Sequence, residues 1–358
     1  MTALTLACPT RAERDEVFTV SLSAYQTWQQ CQQKYQYKHV EYLKPKIKAA
    51  APQLGTVLHR YMQWYYTSVR DGVAPDNAYA DALQRLELEE VPKLQARFEA
   101  ATASKQADLA AAYDLMWPTV QSIVGRYHNQ HGHADAYRYE VLLVEQKCEL
   151  PLVAGIQSKG YVDLILRDRE RGIVLLAEHK STAAVPRSTI RIRDFQTLLY
   201  TIKAARLHGI QVDAILWNYL RTKLPEEPKV LQTGKLSRDK SIDTTWDVYH
   251  QKVVELGQDP AMYEDVRLRL KDAESTIYFP RYEHVIVADV DLLMGDYINE
   301  AQHMRAARMM WESGVSRPVR TFSRGCDWCE FYKLCEAALV GGDEAILKRH
   351  FYSTDYED

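Results

Sequence analysis

The sequence lacks the features that would direct the chain to a membrane or an export pathway. Its N-terminus has no basic region and reaches Pro9 before an apolar core develops. No apolar run approaches the roughly 20 residues that span a bilayer. The six cysteines among 358 residues are too sparse for a disulfide scaffold. We therefore expect a cytoplasmic protein (in the host cytoplasm if it is phage-encoded) with no membrane partner.

An excess of positive charge is also missing. The formal net charge of −3 excludes a polycationic nucleic-acid coat, although it leaves room for a local basic groove. Hydrophobic residues make up 46% and charged residues 26%, which are ordinary globular proportions. The chain contains no internal repeat and no GxxxxGK[ST] motif of the kind that binds nucleotide phosphates.

The apolar pattern divides the chain into four regions. A helical region covers residues 1–138, and strand-like runs define an α/β core at residues 139–220. A polar and helical insertion covers residues 221–275, and a strand, a long helix and a cysteine-rich segment cover residues 276–358. Within the first region, the spacing of aromatic residues predicts one continuous helix over residues 21–42.

Asp163, Glu178 and Lys180 lie on two strand-like runs that flank the charged turn DRERG. Antiparallel pairing is expected to place Asp163 opposite Ala177, so that Asp163 and Glu178 converge at one end of the sheet. Two carboxylates and the backbone carbonyl of His179 suit Mg²⁺ or Mn²⁺, and Lys180 could hold an attacking water. The same triplet also occurs where charged residues end strands in solvent, and the triplet by itself leaves both interpretations open.

The next predicted helix carries Gln196 and Tyr200, which project from one face because they are four residues apart. Just before this helix lies a basic stretch suited to binding phosphates, formed by Arg187, Arg191 and Arg193. Glu145, on the preceding strand, is a supporting candidate for the site.

Four motifs in order resemble the RecB-like branch of the PD-(D/E)xK nucleases: Gly55-Thr-Val-Leu-His59, Gly160-Tyr-Val-Asp163, Glu178-His-Lys180 and Gln196-Thr-Leu-Leu-Tyr200. The resemblance implies a restriction-endonuclease-like α/β core with a mixed central sheet and large helical additions. It implies that Asp163 and Glu178 bind the metal, that His59 is a further ligand and that Lys180 is catalytic. Gln196 and Tyr200 would support the active site and the DNA end.

Three cysteines near the C-terminus, Cys326, Cys329 and Cys335, have the spacing CxxCx5C. A zinc site would need a fourth ligand nearby, and the nearest downstream histidine is His350. The chain resembles RecB-like nucleases of the AddB and CRISPR-associated types, in which one N-terminal cysteine completes a [4Fe–4S] cluster. By that resemblance Cys31 is the fourth ligand.

The resemblance as a whole implies a metal-dependent DNA exonuclease that favours single-stranded ends in recombination, repair or processing. A helicase, recombinase or integrase is the implied partner. Two alternatives remain open: a non-catalytic DNA-binding adaptor subunit, and an endonuclease that trims DNA beside an integrase. The oligomeric state is not determined by the sequence.

Overall fold

The computed structural model describes residues 17–186, 194–286 and 289–354. In these ranges no helix is both long enough and apolar enough to cross a bilayer. The helices are α1 (Leu22–Gln30), α2 (Gln32–Tyr35), α3 (Ala50–Arg70), α4 (Pro75–Glu89), α5 (Val91–Ala103), α6 (Ala107–Asp114), α7 (Met116–Tyr127), α8 (His133–Arg138), α9 (Phe195–His208), α10 (Trp246–Glu255), α11 (Glu264–Leu270), α12 (Val290–Glu312), α13 (Tyr332–Leu339) and α14 (Glu344–Phe351). The strands are β1 (Phe18–Ser21), β2 (Lys44–Pro45), β3 (Tyr139–Val153), β4 (Ile156–Asp168), β5 (Val174–Thr182), β6 (Ala214–Arg221), β7 (Arg281–Val285) and β8 (Tyr352–Ser353).

Six of these strands form a central sheet in the order β1-β4-β5-β6-β7, with β3 also paired to β4. β1 runs parallel to β4 and β5 runs parallel to β6, whereas the other pairs are antiparallel. The predicted α/β core with a mixed central sheet is therefore confirmed.

Helices cover both faces of this sheet. Leu166 and Ala177 pack in one cluster with α3 and α7, while Ile165 and Leu176 pack in another with α9. Successive side chains of a strand point to opposite faces, so a strand covered on both sides must be apolar at nearly every position. This explains the continuous apolar run at the start of β5.

The turn between β4 and β5 sets the pairing of the two strands. The Asp168 side chain caps the turn, and its own N–H donates to the Ile173 carbonyl at 2.9 Å. With this closing pair, Leu164 lies opposite Ala177. The predicted pairing of Asp163 with Ala177 is therefore wrong by one residue, because the capped turn closes differently from the hairpin assumed from the sequence.

Strand β4 changes its neighbour on one edge halfway along its length. β1 pairs with β4 only as far as Ser21 and Lys159, and β5 begins its pairing at Leu164. On that edge, residues 160–163 have no neighbouring strand in the described part of the chain, although β3 stays paired with β4 on the other edge. The sheet is therefore open at this point.

The predicted continuous helix over residues 21–42 is interrupted at Cys31. This residue has extended backbone, with φ −168° and ψ 118°, and separates α1 from α2. The N–H of Gln33 donates to the Val319 carbonyl at 3.1 Å instead of continuing the ladder of α1. A segment distant in sequence thus supplies the partner that breaks the helix.

Part of the predicted insertion packs around a small core of its own. The residues of this core are Leu236, Tyr249, Val253, Tyr263, Val266 and Leu270. The boundaries of the four sequence regions remain predictions.

Candidate active site and metal centre

Three side chains converge where the edge of β4 is open. His59 of α3, Glu145 of β3 and Asp163 of β4 each offer one ligand atom, and these atoms all lie within 4.8 Å of one another. His59 Nδ1 is 3.8 Å from Asp163 Oδ2. We call these three residues the ligand group. Two of them were predicted as metal ligands, and Glu145 was only a supporting candidate.

Glu145 falls opposite Asp163 by register, between the recorded pairs Val144–Leu164 and Gln146–Val162 of the antiparallel β3–β4 ladder. Its φ of 43° lies in the left-handed region, where a residue with a side chain is uncommon. Such strained backbone is concentrated at functional sites. The strand position of Glu145 was visible in the sequence, but its location opposite Asp163 depends on the pairing of two strands.

Lys180, Glu178 and Gln196 form a second group beside the first. Lys180 Nζ donates to Glu178 Oε1 at 2.6 Å and to Gln196 Oε1 at 3.1 Å. Gln196 Nε2 also donates to Glu178 Oε1, at 2.8 Å. Glu178 is only 1% exposed, and its Oε2 is buried without a hydrogen-bond partner among the described residues. One carboxylate oxygen is therefore held by the protein and the other is left for a ligand.

Helix α9 places Gln196 and Tyr200 against the open edge of β4. The Asp194 side chain caps this helix by accepting from the Thr197 N–H at 3.1 Å, which puts Gln196 in the first turn and Tyr200 one turn later. A Cβ on Gly160 would lie 3.2 Å from Tyr200 Cε1. The missing side chain at Gly160 therefore permits the close approach of α9 to β4.

Burial raises the pKa of all three carboxyl groups. Burial and the charge of Glu145 raise the pKa of Asp163 to about 7. Burial and the charge of Glu178 raise the pKa of Glu145 to about 7. Burial and the charge of Asp163 raise the pKa of Glu178 to about 8. Three neighbouring carboxylates that are largely shielded from water repel one another when ionised, and a bound cation removes that penalty.

The two basic groups of the site have opposite pKa shifts. Burial lowers the pKa of His59, so its imidazole is neutral and has a lone pair for a metal ion. Burial alone would lower the pKa of Lys180, but the adjacent Glu178 carboxylate outweighs it and raises that pKa. Lys180 is therefore a protonated donor.

The sequence matches the family model of the "PD-(D/E)XK nuclease superfamily" over residues 19–336, a range that contains every residue of the site. The chain belongs to the PD-(D/E)XK nuclease superfamily. No curated protein matches the sequence. Among solved structures, the chain is similar to a protein from Eubacterium rectale described as a "Putative exonuclease", at 12% sequence identity and a TM-score of 0.35, over 75% of this chain and 87% of that one. A similarity this low bears on neither fold nor function.

A PD-(D/E)XK nuclease acts on DNA and depends on a divalent metal ion, and the residues of this site fit one. The ligand group supplies two carboxylates and a neutral imidazole, and Mg²⁺ and Mn²⁺ prefer such oxygen-rich sets. The orphaned Oε2 of Glu178 is a further oxygen without a partner among the described residues. A buried carboxylate oxygen is unfavourable unless it is paired or coordinates a metal.

The predicted role of His179 rests on its backbone, which lies at the centre of the site. Its N–H donates to Asp163 Oδ2 at 3.3 Å, and its ring lies edge-on to the His59 ring at a centroid distance of 6.5 Å. The side chain of His179 points into the core, where Nδ1 accepts from Asn218 Nδ2 at 2.7 Å and the ring stacks on Tyr66 at 5.6 Å. His179 thus connects the ligand group to the interior of this nuclease.

A buried ion pair lies behind His179. Arg281 donates to both carboxylate oxygens of Asp135, at 2.7 and 2.5 Å, and its Nε donates to Asn218 Oδ1 at 2.9 Å. Tyr66 donates to the same carboxylate at 2.7 Å. Sequence analysis missed this network because its members come from α3, α8, β6 and β7, which have no local spacing in common.

The four cysteines predicted to bind an iron–sulfur cluster, Cys31, Cys326, Cys329 and Cys335, line one cavity of about 470 Å³. Each of them is a free cysteine. The N–H of Thr321 donates to Cys31 Sγ at 3.5 Å, so Cys31 contacts the C-terminal segment directly. No three of these sulfur atoms lie within 4.8 Å of one another in the described structure.

A second cavity, of about 580 Å³, opens onto Asp163, Gln196 and Tyr200. Its wall also includes the first turn of α1 and exposed residues of β3 and β4. The residues predicted from the sequence to bind phosphates, Arg187, Arg191 and Arg193, lie outside the described residues. The described basic residues of this cavity are lysines.

Proposed function

We propose that this protein is a Mg²⁺- or Mn²⁺-dependent exodeoxyribonuclease of the RecB-like branch, favouring single-stranded ends in DNA recombination, repair or processing. The observation that carries the proposal is the position of Lys180, which bridges Glu178 and Gln196 beside the ligand group. This arrangement brings together the four motifs that resemble the RecB-like branch. The chain has no GxxxxGK[ST] motif, so within this proposal any DNA unwinding comes from a helicase partner, and a recombinase or an integrase is the alternative partner.

The geometry of Lys180 supports its role as the catalytic residue. Its ammonium group has three N–H donors, and two of them donate to Glu178 and Gln196. The third N–H can donate to a phosphate oxygen or to the attacking water. Gln196 also donates to Glu178, so the three side chains are joined by three mutual hydrogen bonds. Rotation of the Glu178 carboxylate or of the Lys180 ammonium group would therefore break two hydrogen bonds at once. The protein thereby holds its proton donor in a fixed direction.

The ligand group and Oε2 of Glu178 would hold the divalent cation. The cation, when bound, stabilises negative charge on the phosphate and lowers the pKa of water. His59 contributes a neutral nitrogen, and the backbone of His179 orients Asp163 through its N–H. Tyr200 closes the side of the site nearest Gly160.

Within the same proposal, Cys31, Cys326, Cys329 and Cys335 bind a [4Fe–4S] cluster. Their convergence on one cavity from both ends of the chain supports this assignment. Cys31 has extended backbone between α1 and α2, which supports the interpretation that a bound group fixes the position of this residue.

The proposed activity is tested by incubating the protein with end-labelled single-stranded and double-stranded DNA, with Mg²⁺, with Mn²⁺ and with a chelator. We expect metal-dependent release of short products from linear single strands, and no cleavage of circular single strands of the same sequence. Asp163→Asn, Glu178→Gln and Lys180→Ala should each abolish cleavage while DNA binding persists.

Cleavage of circular strands would replace the exonuclease with an endonuclease. Wild-type rates in any of the three variants would contradict the active site. DNA binding without cleavage under every metal condition would favour a non-catalytic adaptor. Glu140→Gln is the matched control, because this carboxylate lies on β3 and pairs with the exposed Arg167 instead of contacting the ligand group.

A further inference from the structure

The second cavity has a polar floor formed by the cross-strand neighbours of β3 and β4. In the antiparallel ladder, Lys147 lies opposite Tyr161 and Glu149 lies opposite Lys159. All four side chains line the cavity that leads to Asp163. We call these four residues the floor patch. Tyr161 and Lys159 precede Asp163 by two and four residues, which places them ~7 and ~13 Å from it along the strand.

The floor patch has a net positive charge. Lys147 Nζ lies 2.8 Å from Glu149 Oε1, so this lysine and this glutamate compensate each other. The amine of Lys159 is exposed, and no carboxylate lies within 4.0 Å of it among the described residues. One positive charge therefore faces the cavity without an ion-pair partner, which favours an anionic ligand.

Tyr161 presents an aromatic ring on the same floor. It is 51% exposed, although the neighbouring Val162 is fully buried. An exposed aromatic side chain beside an uncompensated lysine is the combination with which proteins bind single-stranded nucleic acid, because bases stack on the ring and phosphates bind the amine. The cavity of about 580 Å³ has the size of a small-ligand pocket, which suits the nucleotides of one strand.

We propose that the floor patch binds the nucleotides adjacent to the scissile phosphate, with Tyr161 stacking on a base and Lys159 binding a backbone phosphate. This inference rests on the proposed nuclease function and adds the residues that select a single strand. The first turn of α1, which begins after Ser21, forms part of the facing wall. The strand enters the site between this wall and β4.

The inference is tested by fluorescence anisotropy with a short labelled single strand and a duplex of the same sequence, in Ca²⁺ so that binding is measured without cleavage. Tyr161→Ala should weaken single-strand binding about tenfold, and Tyr161→Phe should restore it, because the phenyl ring alone is enough for a base to stack on. Lys159→Ala should reduce the salt dependence of log Kd by about 0.7, the value for one single-strand phosphate contact. Glu149→Gln should tighten binding, because it removes the only negative charge of the patch.

Arg167→Ala is the control, since Arg167 is exposed on the far part of β4 and pairs with Glu140. Cleavage of bis(p-nitrophenyl) phosphate, which is too small to reach the floor patch, should be the same in all these variants. If the wild type binds single strands and the variants bind equally well, the inference is wrong and the nuclease function stands. Equal losses on duplex and single strand would overturn single-strand selection. A wild type that neither binds nor cleaves DNA would overturn both proposals.

Discussion

Glu178 Oε1 lies 2.6 Å from Lys180 Nζ, while Oε2 of the same carboxylate is buried without a partner among the described residues. Only one of the two oxygens of the Glu178 carboxylate is therefore hydrogen-bonded among the described residues. Because Glu178 is buried, removing Lys180 would leave the charge of this carboxylate in the interior without its partner. Glu178 therefore connects the proton donor of the site to the place where a cation would bind.

Glu145→Gln should weaken metal binding. This carboxylate is part of the ligand group and lies opposite Asp163, so the substitution keeps the shape of the side chain but removes one negative charge. We expect the apparent affinity for Mn²⁺ to fall at least tenfold, measured by calorimetry and by the Mn²⁺ dependence of cleavage. Glu140→Gln on the same strand should leave both unchanged. An unchanged Mn²⁺ affinity in Glu145→Gln would exclude this residue as a ligand.

The metal-free protein should lose stability as the pH rises through neutrality. Burial raises the pKa of Glu145 and of Asp163 to about 7 in the folded protein, well above their ordinary values near 4. Between these limits the folded state binds more protons than the unfolded state, so the free energy of unfolding decreases with increasing pH. The stabilisation that the protonated Glu145 and Asp163 contribute to the free energy of unfolding is complete below about pH 4. It is lost as the pH rises through about 7.

The same window should govern stabilisation by metal. Because a divalent cation competes with these protons, Mn²⁺ should raise the Tm more at pH 8 than at pH 5.5. Differential scanning calorimetry with and without Mn²⁺ measures both effects. In Asp163→Asn, the increase in Tm caused by Mn²⁺ should differ less between pH 8 and pH 5.5 than it does in the wild type. A Tm increase by Mn²⁺ that is independent of pH would contradict the assignment.

Two glycines of the motifs should respond differently to alanine. At Gly160 a Cβ would lie 3.1 Å from Lys203 Nζ and 3.2 Å from Tyr200 Cε1, both on a buried helix face. We expect Gly160→Ala to lower the free energy of unfolding by about 1–3 kcal/mol and to slow cleavage by displacing Tyr200.

The matched substitution is Gly55→Ala in α3. Its Cβ would meet only the Ser181 hydroxyl at 2.7 Å, which can rotate away, and alanine favours a helix by about 1 kcal/mol. Stability should therefore stay the same or increase. Chemical denaturation of both variants measures the contrast, and equal losses would show that packing at Gly160 has no special importance.

Asp135→Ala should destabilise the fold and the site together. It leaves the largely buried Arg281 without its carboxylate, and Arg281 is the residue that donates to Asn218, which in turn holds the ring of His179. A loss of about 3–5 kcal/mol in the free energy of unfolding is expected for a broken buried ion pair. The control is Glu264→Ala, which breaks the exposed ion pair with Arg267. This substitution should change the free energy of unfolding by less than about 1 kcal/mol.

The milder Asp135→Asn variant separates folding from positioning. It keeps hydrogen-bonding capacity, so we expect a folded protein with weaker Mn²⁺ binding, since positioning partners typically change metal affinity 10–100-fold. Full metal affinity in a folded Asp135→Asn protein would show that the network supports the fold alone.

Cys31→Ser should remove iron as completely as Cys326→Ser, although the two residues lie at opposite ends of the chain. Both line the same cavity. The variants should remain folded, because the β2–β8 pair and the Tyr37–Phe331 contact also join the two ends of the chain. They should melt at a lower temperature, because the cluster no longer joins these ends. Iron and sulfide analysis of anaerobically purified protein measures the loss. Stoichiometric zinc without iron in the wild type, or retained iron in Cys31→Ser, would contradict the cluster.

The sequence by itself determined the class of fold and much of the candidate site. Asp163, Glu178 and Lys180 lie on neighbouring strands joined by a short turn, so their proximity follows from local pairing. Gln196 and Tyr200 share a helix face because of the helical repeat. Cys326, Cys329 and Cys335 line one cavity, as their close spacing in the sequence allows, and the cluster that they would bind stays a prediction.

Only the tertiary structure decided the rest, because it depends on contacts between distant segments. The capped turn at Asp168 shifted the predicted strand pairing by one residue, and the backbone near Val319 broke the predicted helix at Cys31. Glu145 joined the ligand group only through the β3–β4 ladder and its distortion. The Arg281–Asp135 pair has no sequence signature, because burial in a shared core, and not spacing along the chain, brings its members together.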